Sequence, residues 1–136
     1  LEEPRVVWAL VAPWSRPHQP TVLANGNIMI FDNKGFYGHS RIIEFDPATA
    51  TIAWDYAKEE PSDFSSPECG SAMRLPNGNT LITETDMGRA FEVTPERETV
   101  WEYVNPTTAG EDNVFMASIF EMIRLEPDFP VDWLDD

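Results

Sequence analysis

The tripeptide Asn-Gly-Asn occurs twice in this chain, at 25–27 and 77–79, and each copy sits inside a longer match. Val22-Leu23-Ala24-Asn25-Gly26-Asn27-Ile28-Met29-Ile30 aligns with Arg74-Leu75-Pro76-Asn77-Gly78-Asn79-Thr80-Leu81-Ile82 at an offset of 52. Downstream, Arg41-Ile42-Ile43-Glu44-Phe45-Asp46-Pro47 aligns with Arg89-Ala90-Phe91-Glu92-Val93-Thr94-Pro95 at an offset of 48. Ile52-Ala53-Trp54-Asp55-Tyr56 then meets Val100-Trp101-Glu102-Tyr103 around the Trp at an offset of 47. The falling offset puts the longer loops in the first copy, chiefly between Asp32 and Ser40. Trp8, in Val6-Val7-Trp8-Ala9-Leu10, precedes Trp54 by 46 residues and marks a third, partial copy at the amino end. A period of this size means one supersecondary unit that buries its apolar face only against a neighbouring copy.

Each full copy divides into four short apolar runs. The Asn-Gly pairs predict a two-residue type I′ hairpin, because Asn and Gly tolerate positive φ at both central positions. Asp46-Pro47 and Thr94-Pro95 mark a second hairpin, whose returning strand carries the Trp and, two residues on, an aromatic on the same face. Four antiparallel strands at a period near 47 make a propeller blade. The expected fold is therefore all-β: a β-propeller segment of about two four-stranded antiparallel blades plus part of a third. An eight-stranded sandwich is the alternative, but a sandwich does not require its sheets to be copies of each other. The chain is read as one partial propeller domain over 1–136. Residues 1–12 are the last strand of a preceding blade, 18–58 and 70–106 are blades, and 107–136 are a closing segment and acidic tail. Val114 to Leu125 reads as strand or short helix, and the end as an irregular tail packed by Phe129 and Trp133.

Length allows a real core, since a domain this size buries about two-thirds of its unfolded surface, and 42% hydrophobic and 12% aromatic residues exclude a disordered chain. Nine Lys and Arg against 24 Asp and Glu give a net charge of −15. That charge repels phosphate backbones and anionic membrane surfaces, so no nucleic-acid partner is expected. No apolar run reaches the roughly 20 residues that span a bilayer, and no membrane insertion is expected. Cys69 is the single cysteine, which excludes an intrachain disulfide and a multi-cysteine zinc site. There is no Gly-rich phosphate loop and no Gly-x-Ser-x-Gly elbow. Asp32-Asn33 and Asp86 lie in loops after second strands without the alternating acids of a Ca²⁺ loop, so neither a metal nor a cofactor is expected.

The same strings resemble the arylsulfotransferase family of bacterial β-propellers. They are His18-Gln19-Pro20 leading to Leu23-Ala24-Asn25-Gly26-Asn27-Ile28 and Phe31-Asp32-Asn33; Arg41 to Pro47; Leu75-Pro76-Asn77-Gly78-Asn79-Thr80-Leu81-Ile82; Phe91-Glu92-Val93-Thr94 through Val100 to Pro106; and Asn113-Val114-Phe115 with Pro127-Asp128-Phe129-Pro130 near the end. The resemblance covers roughly residues 5 to 130 and is to the family's carboxy-terminal part. It implies a six-bladed, exported propeller, hence a periplasmic or extracellular location. It also implies transfer of a sulfuryl group between phenolic compounds through a histidine, with no nucleotide donor. Two blades would then need other propeller blades as partners, from an upstream chain or from additional copies, three copies of two blades closing a six-bladed ring. A non-catalytic segment serving as a binding or assembly module is the alternative.

His18 is the candidate catalytic residue. It lies seven positions before Asn25, at the start of a first strand, which in propellers runs nearest the axis, and its counterpart in the second copy is Gly70. A nucleophilic histidine needs an unprotonated nitrogen, a group that fixes its tautomer, and cationic donors for the sulfonate oxygens. Arg16, His39 and Arg41 are the candidate substrate-binding companions, with Arg89 a further cation. Arg41 and Arg89 hold matching repeat positions, which favours a blade role, pairing with Glu44 and Glu92 or covering aromatic rings. Trp8, Trp54 and Trp101 are expected to fill the space between blades.

Overall fold

The computed structural model describes residues 3–35, 38–60 and 63–134. Strands β1 (Pro17–Val22), β2 (Ile28–Asp32), β3 (Arg41–Phe45) and β4 (Ile52–Tyr56) form one antiparallel sheet in the order β1-β2-β3-β4. Strands β5 (Ser71–Arg74), β6 (Thr80–Glu84), β7 (Arg89–Val93) and β8 (Thr99–Val104) form a second sheet with the same order. The fold is all-β, built of repeated four-stranded sheets consistent with propeller blades; β9 (Thr108–Ala109) and β10 (Phe115–Met116) add a small ladder. No helix among the described residues is long and apolar enough to cross a membrane.

The Asn-Gly-Asn hairpins form, but through a different turn from the one expected. Only Gly26 (φ +86°) and Gly78 (φ +89°) take positive φ; Asn25 and Asn77 do not. Gly26 N–H donates to Leu23 C=O and Leu23 N–H to Asn27 C=O, and Gly78, Leu75 and Asn79 repeat both bonds. These are three-residue loops with glycine in the left-handed position. The first Asn of each triplet uses its side chain instead, accepting from the backbone N–H of Asn27 or Asn79 at 3.0 Å.

The two sheets share one core. One face of the first sheet, with Met29, Phe31, Ile42 and Tyr56, packs on the face of the second that carries Ile82, Phe91 and Val93. Phe64, from the linker, fits between them, its ring centroid 5.5 Å from Tyr56 and 5.7 Å from Phe31 and Phe91. At the outer edge Trp54 donates its indole N–H to Pro95 C=O at 2.8 Å, and Arg97 binds Asp55. Trp54 thus does the expected interblade work. Trp101 and Trp8 are 40% and 51% exposed, because no sheet lies against their faces among the described residues.

Three further expectations change. Residues 3–14 make no strand ladder; instead Leu10 and Trp14 pack on Ile30, Ile43 and Phe45 of the first sheet's open face. An outermost strand pairs only with the third strand of its own blade, and no such strand stands beside residues 3–14 among the described residues. Only Phe115–Met116 of the segment Val114 to Leu125 is strand by hydrogen bonding. Phe129 and Trp133 do not pack the tail: they are 44% and 65% exposed, and among the described residues the Trp133 indole bonds to nearby Pro130 C=O.

Candidate functional site

His18 stands at the start of β1, where the backbone is irregular. Arg16 (φ +57°) and Gln19 (φ +47°), on either side of it, occupy the left-handed region, and the β1–β2 register slips between His18 and Thr21. Non-glycine residues in that region cost about 1–3 kcal/mol each and persist only where the surroundings impose them. A bulge of this kind re-aims a side chain at a strand end.

The imidazole is held by its Nδ1, which lies 2.6 Å from Asn33 Oδ1 and 3.1 Å from Arg16 C=O. Both partners are acceptors. Asn33 is buried, and its orientation is fixed because its Nδ2 donates to the carbonyls of Ser66 (2.5 Å) and Cys69 (2.6 Å). Nδ1 must therefore carry the proton, and in the neutral ring the lone pair is left on Nε2. Ser40 Oγ, donating to Asn33 C=O and accepting from Ser66 N–H, ties the linker to the loop after β2. Sequence reasoning missed Asn33 as the tautomer-fixing group, and only the return of residues 65–69 onto β2 reveals it.

Gly70, which the repeat offset aligns with His18, cannot carry a side chain; the slip in β1 leaves Ser71, opposite Thr83, at the ladder position that His18 takes opposite Phe31. The φ of Gly70 is +144°, and a Cβ there would stand 2.5 Å from Phe31 Cζ. The difference between copies has a packing cause on the Gly70 side.

Of the companion residues, Arg16 is at the site. Its guanidinium donates to both oxygens of Glu68 at 2.7 and 2.6 Å, and Lys34 Nζ is 3.5 Å from the same carboxylate. His39 is half-buried in the loop before β3, and its ring is not bonded to His18. Arg41 is committed to the blade: it donates to Asp32 Oδ2 at 2.9 Å and to Pro13 C=O at 3.2 Å, while Asp32 Oδ1 accepts from Ser15 N–H. Arg89 likewise binds Glu84 and Glu102 and covers the Phe91 ring at 4.3 Å. The expected partners Glu44 and Glu92 are excluded by strand parity. Residues three apart point to opposite faces, whereas Asp32 and Glu84 lie directly opposite Arg41 and Arg89 in the ladders.

Glu44 and Glu92 instead form a second repeated motif. Glu44 accepts from Asn25, Asn27 and Arg74 at 3.0, 2.7 and 2.7 Å. Glu92 accepts from Asn77, Asn79 and Arg124 at 3.3, 2.6 and 2.8 Å. Hydrogen bonds from Asn79 foremost, then Asn77 and Arg124, hold the Glu92 carboxyl below its ordinary range. Burial pushes Glu84 the other way, against opposing hydrogen bonds from Ser65 N–H and Arg89.

Beside the first strands runs an open groove of about 490 Å³ lined by Gln19, Thr21, Ala72, Arg74, Glu121 and Ile123, among others, and His18 lies outside it. Gln19 bridges it, accepting from Ala72 N–H at 2.9 Å and donating to Glu121 Oε1 at 2.7 Å.

A family model described as Arylsulfotransferase (ASST) matches residues 2–106. No curated protein and no solved structure matches the chain.

Proposed function

The chain belongs to the arylsulfotransferase family, and from that premise we propose that it takes part in sulfuryl transfer between phenolic compounds, with His18 carrying the group. The observation that supports this reading is the fixed Nδ1–H tautomer, which leaves a lone pair on Nε2. In the proposed step Nε2 attacks the sulfur of an aryl sulfate, the bond from sulfur to the phenolic oxygen breaks, and the phenolate leaves with the bonding pair. The acceptor phenol, giving its proton to the phenolate released in the first step, then attacks the same sulfur, and the bond from nitrogen to sulfur breaks with its pair returning to Nε2, which restores His18. Positive charge building on the ring is relieved through Nδ1–H, already directed at Asn33 Oδ1. Arg16 is the proposed donor to the sulfonate oxygens, exchanging Glu68 for the substrate, with Lys34 on the same carboxylate. Arg41, tied to Asp32, serves the blade. A periplasmic or extracellular location belongs to the same proposal.

The test is turnover of p-nitrophenyl sulfate with phenol as acceptor, together with mass spectrometry of the His18 peptide after an acid-free quench. His18→Ala is expected to lower turnover by a factor on the order of 10³ or more, and the wild-type peptide to carry one added SO₃ group. Unchanged turnover in His18→Ala removes His18 from the mechanism.

A further inference from the structure

The segment Ser118–Leu125, which no ladder includes, repeats the environment of β5. Ile123-Arg124-Leu125 matches Met73-Arg74-Leu75 at an offset of 50. Arg74 binds Glu44 of the preceding sheet and stacks 4.9 Å over Trp54; Arg124 binds Glu92 and lies 5.9 Å over Trp101. Asn33 holds the chain leading into β5 through Cys69 C=O, and its counterpart Thr85 donates to Phe120 C=O at 3.4 Å. Met122 N–H donates to Thr83 Oγ1 at 2.9 Å, fixing the segment along β6. Ser118–Leu125 thus stands where the innermost strand of a third blade belongs.

On the first sheet, the strands that follow β5 cover the Trp54 face. They bury Tyr56 to 1% exposure and give the Trp54 indole its acceptor, Pro95 C=O. On the second sheet the matching Tyr103 is 40% exposed, the Trp101 indole N–H has no hydrogen-bond acceptor among the described residues, and Phe120 and Ile123 are 75% and 58% exposed. Residues 126–134 supply one three-residue 3₁₀ turn and no strand.

We propose that this face, edged by Ser118–Leu125 and floored by Trp101 and Tyr103, docks the three outer strands of a blade that lacks its own innermost strand, completing it by strand addition. Continuity with the β5–β8 arrangement identifies the occupant, since the same contact is already made within the chain. An intact blade does not fit, because its first strand would fall on Ser118–Leu125. A second copy of this chain is a poor substitute even if the segment moved away. The residue of β1 that matches Arg74 and Arg124 is Val22, which would leave Glu92 without its cation. The ring of three two-blade copies is therefore disfavoured, and the partner is a polypeptide segment of the same repeat type. Strand addition of this kind takes affinity from the main chain and specificity from alternate side-chain pockets.

The experiment adds a synthetic peptide copying Thr80–Val104, the strands that make this contact on the first sheet, to the full chain and follows amide hydrogen exchange. The expected result is saturable binding with exchange across Ser118–Leu125 slowed about tenfold or more, and affinity lowered at least about tenfold in Trp101→Ala. A scrambled peptide is expected to leave exchange unchanged. No slowing at a saturating concentration of soluble peptide, or equal binding by Trp101→Ala, overturns the proposal. So does a chain dimer, seen by light scattering, that dissociates in Trp101→Arg, because a second copy would then be the occupant. None of these readouts depends on sulfuryl transfer.

Discussion

Strands β1 and β5 open the two sheets in the same topology and differ most where each begins, with His18 opposite Gly70 in the repeat. At Gly70 the neighbouring sheet dictates the residue, because the Phe31 ring occupies the space a side chain would need. At His18 a left-handed residue on either side, a register slip and a buried Asn33 all serve to hold one imidazole by one nitrogen. A repeat tells which features belong to every blade. Arg41 and Arg89, or Glu44 and Glu92, recur with their partners and so maintain the sheet, whereas the His18–Asn33 pair occurs once and has no such duty.

The largest expected effect comes from forcing the starts of β1 and β5 to be alike. Gly70→His should destabilise the chain by on the order of 5 kcal/mol in chemical denaturation, from backbone strain and the clash with Phe31 combined. His18→Gly should change stability by no more than about 1 kcal/mol. Comparable losses for both would mean that His18 is a structural residue after all. Phe31→Ala should cost about 4 kcal/mol, since its ring meets Phe64 and fills the Gly70 site, whereas Thr83→Ala at the matching position should cost about 1 kcal/mol. In the double variant Phe31→Ala with Gly70→His the losses should be less than additive, because the first makes room for the second.

A smaller difference separates the two arginines. Arg74 is 22% exposed on a Glu44 side chain at 8%, while Arg124 is 50% exposed on Glu92 at 7%. Arg74→Met should cost about 2 kcal/mol and Arg124→Met less than about 1 kcal/mol. Equal costs would place Ser118–Leu125 in a more closed environment than the exposures indicate.

The smallest effects are in pH dependence, where Glu84 and Glu92 pull in opposite directions. For Glu92, held below 4.5 in the folded chain, stability is present above that value and is lost as pH falls through the folded pKa, so Glu92→Gln should flatten the acid limb. For Glu84, raised by burial above 4.5, the folded chain binds the proton more tightly. Its contribution is then most favourable at low pH and weakens as pH rises through the folded pKa, and Glu84→Gln should remove that decline. Denaturation midpoints between acid and neutral pH measure both signs.

Much of the fold was legible because the repeat is written in turn residues. Asn-Gly-Asn, the Asp46-Pro47 and Thr94-Pro95 turns and the Trp segments together marked the four strands of each sheet, although the Asx bonds of Asn25 and Asn77 favoured a three-residue loop over the type I′ turn. Strand parity alone would have excluded Glu44 as the partner of Arg41, whereas Asp32 follows from the β2–β3 register. The segment Ser118–Leu125 left only Ile123-Arg124-Leu125 as a trace of the repeat, since no Asn-Gly-Asn follows it. Of the candidate site, His18 stood out by its position in the repeat and Arg16 only as a nearby cation. Asn33 was not legible, because its role depends on carbonyls of Ser66 and Cys69 that reach it only after the linker folds back. Phe64 was hidden for the same reason.

The nitrogen chemical shifts of the neutral His18 ring test the central claim most directly, measured by NMR on ¹⁵N-labelled chain. The expected result is a protonated Nδ1 and an unprotonated Nε2 in the wild type, with Nε2–H gaining population in Asn33→Ala. A wild-type ring protonated on Nε2 would contradict it, because the nitrogen proposed to take the sulfuryl group would then have no free lone pair.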